Sequence, residues 1–507
     1  MSTFWLLMIV TAVYWLGCAG IGVLSYKVDI KKPSDFFLAG RGLGPVVLSF
    51  AMMATVFSAW FILGHQGMTY QNGFPYIAHF AHIPLMGLLG VCLFGRQWAV
   101  GRRFEFVTPA EMFGAYYGNE LVRILTVIIS CLYAIPYIAL QLRGAGYVFN
   151  VLSGNVIDPI TGGAVLGVVV ILYVFLGGLK AAAITDTIQG VLLLIGVTFL
   201  ALTAIGLIVS MAPDKGFIWQ WNAGFQSQPE SYITLPEMGK MWSWPYIFAI
   251  AFATFGIYTS PSFTMWSFSA SSPKIFKFQA LIIQVGIMGF MYYIFTTTIG
   301  IGGRSILPEL KNVDALSLEL IFQHMSPFPF VITALGILAA MNSTAAAYLA
   351  NTSTILARDV YTRYVNPSAP PKRQVLAGRL GVLVLVVIAV FFSASVLDYL
   401  VLLGTLATSF GLLLFIPILG VTYIPRITPA GINAGLIGGI IAILLCYFVW
   451  RHPLGVHVGG WGWGTQIILT VLVSCFSSKV PTARLRLFHG IWDKKVASGV
   501  DPNAAES

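Results

Sequence analysis

Hydrophobic positions run together in long blocks along this chain, and a block of about 20 apolar residues can cross a hydrocarbon core of roughly 30 Å as a helix. Thirteen blocks fit: Thr3 to Ser25, Leu43 to His65, Phe74 to Phe94, Leu121 to Leu152, Gly163 to Leu176, Lys180 to Val209, Pro245 to Phe268, Phe278 to Ile301, Val331 to Leu356, Val375 to Val396, Tyr399 to Leu419, Ile432 to Trp450 and Trp461 to Phe476. The fifth is short as written and is expected to begin near Pro159. Polar segments between the blocks are brief. The longest, Met211 to Trp244, carries Pro, Trp and acidic residues, Arg304 to Phe328 carries Pro and acidic residues, and both suit short helices over an outer mouth. The pattern predicts an all-α polytopic membrane protein with thirteen transmembrane helices, in which one membrane domain carries everything.

Two blocks have polar interiors. Ser49 to Gly64 in the second and Thr254 to Ser269 in the seventh mix Gly, Ser, Thr, Pro or aromatic residues into apolar surroundings. Pro261 lacks an N–H and clashes with the preceding turn, so the run Thr254-Phe255-Gly256-Ile257-Tyr258-Thr259-Ser260-Pro261 predicts a kink or a break. Unwound backbone at mid-membrane frees carbonyls and half-helix ends as ligands for an ion or a solute. The two segments lie five blocks apart, the spacing of two five-helix repeats that each begin with a broken helix. In the ninth block, Ala339-Ala340-Met341-Asn342-Ser343-Thr344 sets the Ala340 carbonyl and two hydroxyls on one helical flank. That arrangement fits close packing of small residues, and it also fits an oxygen cage for a hard cation.

With 58% hydrophobic and 9% charged residues in 507 and a mean hydropathy of +0.85, the chain lies outside the range of soluble globular proteins. Its formal net charge of +10 therefore reads as membrane topology and not as nucleic-acid binding. Lys27, Lys31, Lys32 and Arg41 follow the first block; Arg96, Arg102 and Arg103 the third; Lys274 and Lys277 the seventh; Arg358, Arg363, Lys372 and Arg373 the ninth. Basic residues thus favour alternate loops. This places the amino terminus outside and the tail, with Lys479, Arg484, Arg486, Lys494 and Lys495, in the cytoplasm of a plasma (inner) membrane protein. The first block lacks a basic leader and a cleavage site and is expected to remain a span. Cys18, Cys92, Cys131, Cys446 and Cys475 sit inside apolar blocks without metal-ligand spacing and read as structural thiols. No nucleophile–base pair, paired carboxylates or metal cluster shares a pocket, so an enzyme is not expected.

Four segments occur in order: Asp35-Phe36-Phe37-Leu38-Ala39-Gly40-Arg41-Gly42-Leu43-Gly44; Phe106-Val107-Thr108-Pro109-Ala110-Glu111; Gly177-Gly178-Leu179-Lys180-Ala181-Ala182-Ala183-Ile184-Thr185-Asp186-Thr187-Ile188-Gln189; and the Ala340, Ser343, Thr344 cluster running on to Arg358-Asp359-Val360-Tyr361. Together they resemble the sodium:solute symporter family over nearly the whole chain. The resemblance implies a leucine-transporter-type 5+5 inverted repeat with one extra N-terminal and two extra C-terminal helices. Its parts would be 1–42 (extra helix and lead-in), 43–211 (first repeat), 212–244 (outer loop), 245–420 (second repeat), 421–478 (two further helices) and 479–507 (tail). It further implies a sodium site built from the Ala54, Phe57 and Ala340 carbonyls and the Ser343 and Thr344 hydroxyls, with Asp186 on the ion pathway. A salt bridge from Asp186 to Lys180 or a basic loop is the structural alternative. Where some relatives have hydroxyls for a second sodium, this chain has Ala346 and Ala347. One coupling sodium is expected, with no organic cofactor and no other metal.

The solute is read from the cavity lining. Arg143 lies deep in an apolar block and cannot shed its proton. Facing the cavity, it would hold a carboxylate in a bidentate pair; facing a neighbouring helix or snorkelling, it would be structural. Gln141 is two residues away, about 200° around the helix, so both cannot line one narrow site equally. His79 and His82 share a face without a third metal ligand. Thr55, Val56 and Phe57 give the first broken helix an apolar lining suited to a small solute, and Tyr258, Ser260 and Trp266 complete the candidates with His79. The expectation is sodium-coupled uptake of a small carboxylate-bearing solute, a monocarboxylate or an amino acid. Proton coupling through Asp186, a neutral sugar-like or urea-like solute, and a transporter-like receptor are the alternatives.

Overall fold

The computed structural model describes residues 3–26, 32–211, 213–395 and 399–492. Lys27, Lys31, Lys494 and Lys495, and with them residues 493–507 of the expected tail, lie outside the described residues. The chain opens with α1 (Thr3–Tyr26), α2 (Pro45–Val56) and α3 (Trp60–Asn72), followed by α4 (Phe74–Arg103), the short α5 (Pro109–Tyr117), α6 (Glu120–Leu152) and α7 (Pro159–Met211). Then come α8 (Trp244–Thr259), α9 (Pro261–Ser269), α10 (Ile275–Ile306), the short α11 (Leu316–His324), α12 (Pro327–Val365) and α13 (Pro371–Ser395). The chain closes with α14 (Leu400–Thr422), α15 (Pro429–Val449), α16 (Val458–Phe476) and the short α17 (Thr482–His489).

Among the described residues the only β feature is an isolated bridge between Leu43 and Ala270. Ten helices among the described residues are long and apolar enough to cross a membrane, twelve when α2–α3 and α8–α9 each count as one bent span. The chain is an all-helical, multi-pass membrane protein. Thirteen blocks become ten to twelve spans because the fifth and sixth join in α7, one element of 53 residues. At 1.5 Å per residue α7 is roughly 80 Å long, far more than a crossing needs. Its backbone leaves helical geometry at Gly178 (φ 57°, ψ −147°). An added Cβ there would stand 2.7 Å from the Phe36 carbonyl oxygen, so only glycine permits both the turn and the contact.

Burial sorts the helices. The most apolar window of α12 is 94% buried against 22% for α1, so α12 is the inner post and α1 faces lipid. Helix α12 packs on α7, α6, α13 and α2. A post that meets helices on every side can carry Asn342, Ser343, Thr344 and Asn351, all buried, where a lipid-facing helix could not.

Both interrupted blocks are bent, α2–α3 by 50° and α8–α9 by 40°. The second bend follows from local sequence. Ser260 is extended (φ −61°, ψ 157°), Pro261 starts α9, and the Ser260 hydroxyl accepts the Phe263 N–H at 3.4 Å. The Thr259 hydroxyl donates to the Gly411 carbonyl of α14 at 2.8 Å. At one end of the molecule the two broken helices are clipped together. The Leu43 N–H donates to Ser269 O (3.1 Å) and the Ser271 N–H to Leu43 O (2.9 Å), while Trp98 Nε1 and Arg102 Nη2 donate to Ala270 O at 2.9 and 2.8 Å.

Close approach of α8 to α14 rests on Gly256, where an added Cβ would lie 1.7 Å from Thr408 O. Gly256→Ala is therefore expected to lower the thermal midpoint sharply or abolish folded yield, a cost of about 3 kcal/mol or more. Gly206→Ala, with nothing within 4 Å, should leave both unchanged; fluorescence-detected gel filtration after heating reads the difference.

Candidate functional site

No proline or glycine stands between Ala54 and Ala59 to break the first bent span. Its interruption is held from outside. Phe57 takes an extended backbone (φ −72°, ψ 99°) at the end of α2, which leaves carbonyl oxygens without helical partners in a fully buried place. Two hydroxyls of α12 face them. Ser343 Oγ lies 2.9 Å from Ala54 O and 3.0 Å from Ala340 O. Thr344 Oγ1 lies 2.9 Å from Ala340 O, 3.2 Å from Ala54 O and 3.3 Å from both Thr55 O and Phe57 O. Four carbonyl oxygens thus crowd two hydroxyls that carry only two protons between them. The cluster is rich in lone pairs, poor in donors and buried, the electrostatic character a hard cation requires.

The far side of the break is held by Gln141. Its Oε1 accepts the Ala59 N–H at 2.9 Å and its Nε2 donates to Tyr137 O at 3.0 Å. Around it runs an aromatic column. Trp60 lies 6.2 Å from Tyr137 and stacks at 5.0 Å on His65; Tyr137 lies 4.9 Å from Tyr348, and Tyr133 donates to or accepts from the Tyr348 hydroxyl at 2.7 Å. Trp60 Nε1 is buried beside the break with no hydrogen-bond partner among the described residues, and the buried Ser58 and Tyr137 hydroxyls face one another. Aromatic walls with a few polar atoms are the usual makeup of a small-solute pocket.

The family model described as the sodium:solute symporter family matches residues 36–439. The chain belongs to that family. Relatives of this symporter include an uncharacterized symporter, YhjB, of Bacillus subtilis (25% identity over 83% of this chain and 85% of the relative). A sodium/proline symporter of Staphylococcus aureus is 24% identical over 94% of this chain and 93% of its own length. Its fold is that of a Na+-coupled sialic acid symporter solved substrate-bound and outward-open (TM-score 0.75, 18% identity, 95% of this chain and 99% of the other). Mhp1, a nucleobase-cation-symport-1 transporter, is more distant (TM-score 0.55, 15% identity, 92% and 99%). Membership places the chain among transporters and not enzymes.

The four sequence segments of this symporter meet in pairs. The first touches the third where Phe36 O abuts Gly178. The second meets the fourth where Arg358 Nη2 pairs with Glu111 Oε1 at 2.7 Å and Thr108 Oγ1 donates to Asp359 Oδ2 at 2.6 Å. Asp186 is fully buried, and neither carboxylate oxygen has a hydrogen-bond partner among the described residues, Lys180 included. Nearby, Gln189 Nε2 and Asn342 Nδ2 donate to the Tyr14 hydroxyl at 2.7 and 3.1 Å, tying α1 to α7 and α12.

Other candidates scatter. Thr55 spends its hydroxyl on Ala51 O (2.7 Å), and what it offers the cluster is its carbonyl. Ser260 sits beside Tyr133 and Tyr348, at the aromatic column. Tyr258 turns away, donating to Gln284 Oε1 at 2.6 Å and packing on Phe94. Trp266 is buried on α9 with Nε1 unpaired among the described residues. His79 stacks between His65 (5.5 Å) and His82 (5.4 Å). Among the described residues, no group of three His, Cys, Asp or Glu is placed to hold a metal. Arg143 and Gln141 diverge, as their spacing requires. Arg143 Nε donates to the Tyr147 hydroxyl at 3.0 Å and its charge acts on Asp314. Trp60, Tyr137, Tyr348 and His65 were not among the sequence candidates, because an aromatic in an apolar block looks like packing until the break beside it is seen.

Asp314, in the loop before α11, is 1% exposed, and its Oδ2 accepts the Leu400 N–H at the start of α14 (3.1 Å). Burial pushes its carboxyl up to about 6, against the opposing pull of that N–H and of Arg143. With an unfolded value near 3.9, the folded protein binds the extra proton between the two values. Stability therefore falls as pH rises from about 4 through about 6 and stays lower above. Asp314→Asn should flatten that part of the thermal-midpoint profile in detergent; parallel profiles for variant and wild type would contradict the assignment.

Proposed function

We propose that the chain is a sodium-coupled symporter that takes up a small carboxylate-bearing solute, a monocarboxylate or an amino acid. The observation that carries the coupling is the meeting of Ser343 and Thr344 with the Ala54, Thr55, Phe57 and Ala340 carbonyls. Sodium is held there by Ala54, Phe57, Ala340, Ser343 and Thr344, and it binds α2 and α3 to α12. Ion binding thereby favours the conformation in which the aromatic pocket is complete, as coupling requires a ligand that prefers one state. Rocking of the clipped broken helices against the α12 post then releases ion and solute inward. The membrane potential adds about 2.3 kcal/mol per charge per 100 mV.

Division of α7 at Gly178 gives thirteen crossings, with α2 to α7 and α8 to α14 as the two inverted repeats. The amino terminus is outside the plasma membrane and α17 is cytoplasmic, in keeping with the basic loops. The carboxylate reading draws on two supports. Proline and sialic acid, in the names of two similar proteins, both carry a carboxylate. Arg143 and the buried Asp314 lie near one another on the approach to α14, where the guanidinium presents positive charge to an arriving anion. Ser58, Trp60 and Tyr137 supply the polar atoms of the pocket, with Ser260, Gln141 and His79 around them.

One observation favours a second reading. The unpaired Asp186 carboxylate is suited to carry a proton. Uptake unchanged without sodium and lost with the pH gradient would establish it.

In proteoliposomes, Ser343→Ala and Thr344→Ala are expected to raise the sodium concentration for half-maximal uptake about tenfold or more, the factor that corresponds to ~1.4 kcal/mol of lost ion binding. Unaltered sodium dependence in a well-folded double variant would defeat the assignment. Competition of the tracer by acetate, lactate, pyruvate and proline but not by glucose or urea is the expected solute profile, and competition by no carboxylate would remove the solute proposal.

A further inference from the structure

A cavity of about 640 Å³ lies on the outer flank of the bundle between α14, the loop before α15, and α16. It is large enough for a ligand of ordinary size. Phe415, Leu419, Trp463, Ile467 and Val471 give it apolar walls, and Arg426 and Lys479 close one end. Val471 is 55% exposed and its neighbour Leu472 is 54% exposed, so the cavity opens on a helix face that meets hydrocarbon and not water. Both cations are exposed, and neither makes an ion pair with a described residue.

Two residues that line the groove also bury polar atoms without partners. Thr470, 2% exposed, has an Oγ1 without a hydrogen-bond partner among the described residues, and the same is true of Trp463 Nε1. The groove exists because α14 kinks at Leu413–Leu414, where Gln466 Nε2 reaches across from α16 to take the freed Leu413 carbonyl at 2.6 Å. A molecule that matches this surface must be apolar over most of its length, lie in the bilayer and carry negative charge at the end where α16 leaves the membrane. Zwitterionic lipids have the length but no net charge for Arg426 and Lys479 to attract.

We propose that this groove binds an anionic glycerophospholipid, with its phosphate between Arg426 and Lys479 and one acyl chain along Phe415, Trp463 and Ile467. The site sits against the α14 kink and is independent of the ion cluster, so it stands whether or not the transport reading does.

Native mass spectrometry of the full-length protein titrated with phosphatidylglycerol or phosphatidylcholine of identical acyl chains tests it. Phosphatidylglycerol is expected to be retained at about thirtyfold lower concentration, the preference two interfacial cations confer at about 1 kcal/mol each. The double variant Arg426→Gln, Lys479→Gln should lose that preference and keep phosphatidylcholine binding. Equal retention of both lipids by the wild type, or a preference that survives the double substitution, overturns the proposal. A second measurement needs neither variant. In nanodiscs, phosphatidylglycerol with brominated chains should quench tryptophan fluorescence less in Trp463→Phe than in the wild type, and added inorganic phosphate should not relieve the quenching. Identical quenching in the two proteins, or relief by phosphate alone, overturns it.

Discussion

A membrane helix that stops bonding to itself leaves carbonyl oxygens with no water to turn to, and the extended backbone at Phe57 puts Ala54, Thr55 and Phe57 in that position. What answers them is a pair of hydroxyls almost 290 residues further along the chain, on the most buried of the ten long spans. Two protons shared among four carbonyls cannot satisfy them all. The structure therefore keeps a residual negative potential at the one place where the first broken helix touches the inner post, and most of the remaining architecture serves to hold that contact. Gln141 fixes the other side of the gap, Gly256 lets α8 press on α14, and the Leu43–Ser269 and Ser271–Leu43 bonds join the two broken helices at their shared end.

The parts of this arrangement that were legible in the sequence share a cause. Long apolar blocks declare spans, Pro261 declares a break, and hydroxyls in an apolar block declare a partner, because in each case lipid makes the alternative costly. The grouping of Ser343 and Thr344 with Ala54 and Phe57 comes from the family resemblance, and Ser343 and Thr344 lie within hydrogen-bond distance of those carbonyls. The first break itself carries no local signal, since the groups that hold it are tertiary. Nor did the sequence mark Trp60, Tyr137 and Tyr348 as neighbours of the break. Tyr258 illustrates the converse: it lies next to a break, yet Gln279 and Gln284 draw its hydroxyl to α10.

Residue spacing alone settled one orientation. Two positions apart on a helix, Gln141 and Arg143 had to face different ways, and the former spans the gap while the latter turns to Tyr147 and toward Asp314. The count of spans was less secure because Gly178 bends α7 without ending it. That glycine and the Phe36 carbonyl also bring the double glycine against the distant Asp-Phe-Phe segment: each is the other's packing partner.

Hydrogen–deuterium exchange of the amides from Phe57 to Trp60, compared in sodium and in potassium, tests the ion cluster most directly. The account predicts slower exchange in sodium at these amides in the wild type, and no sodium effect when Ser343 and Thr344 are both alanine. Equal exchange in the two salts for the wild type would contradict it.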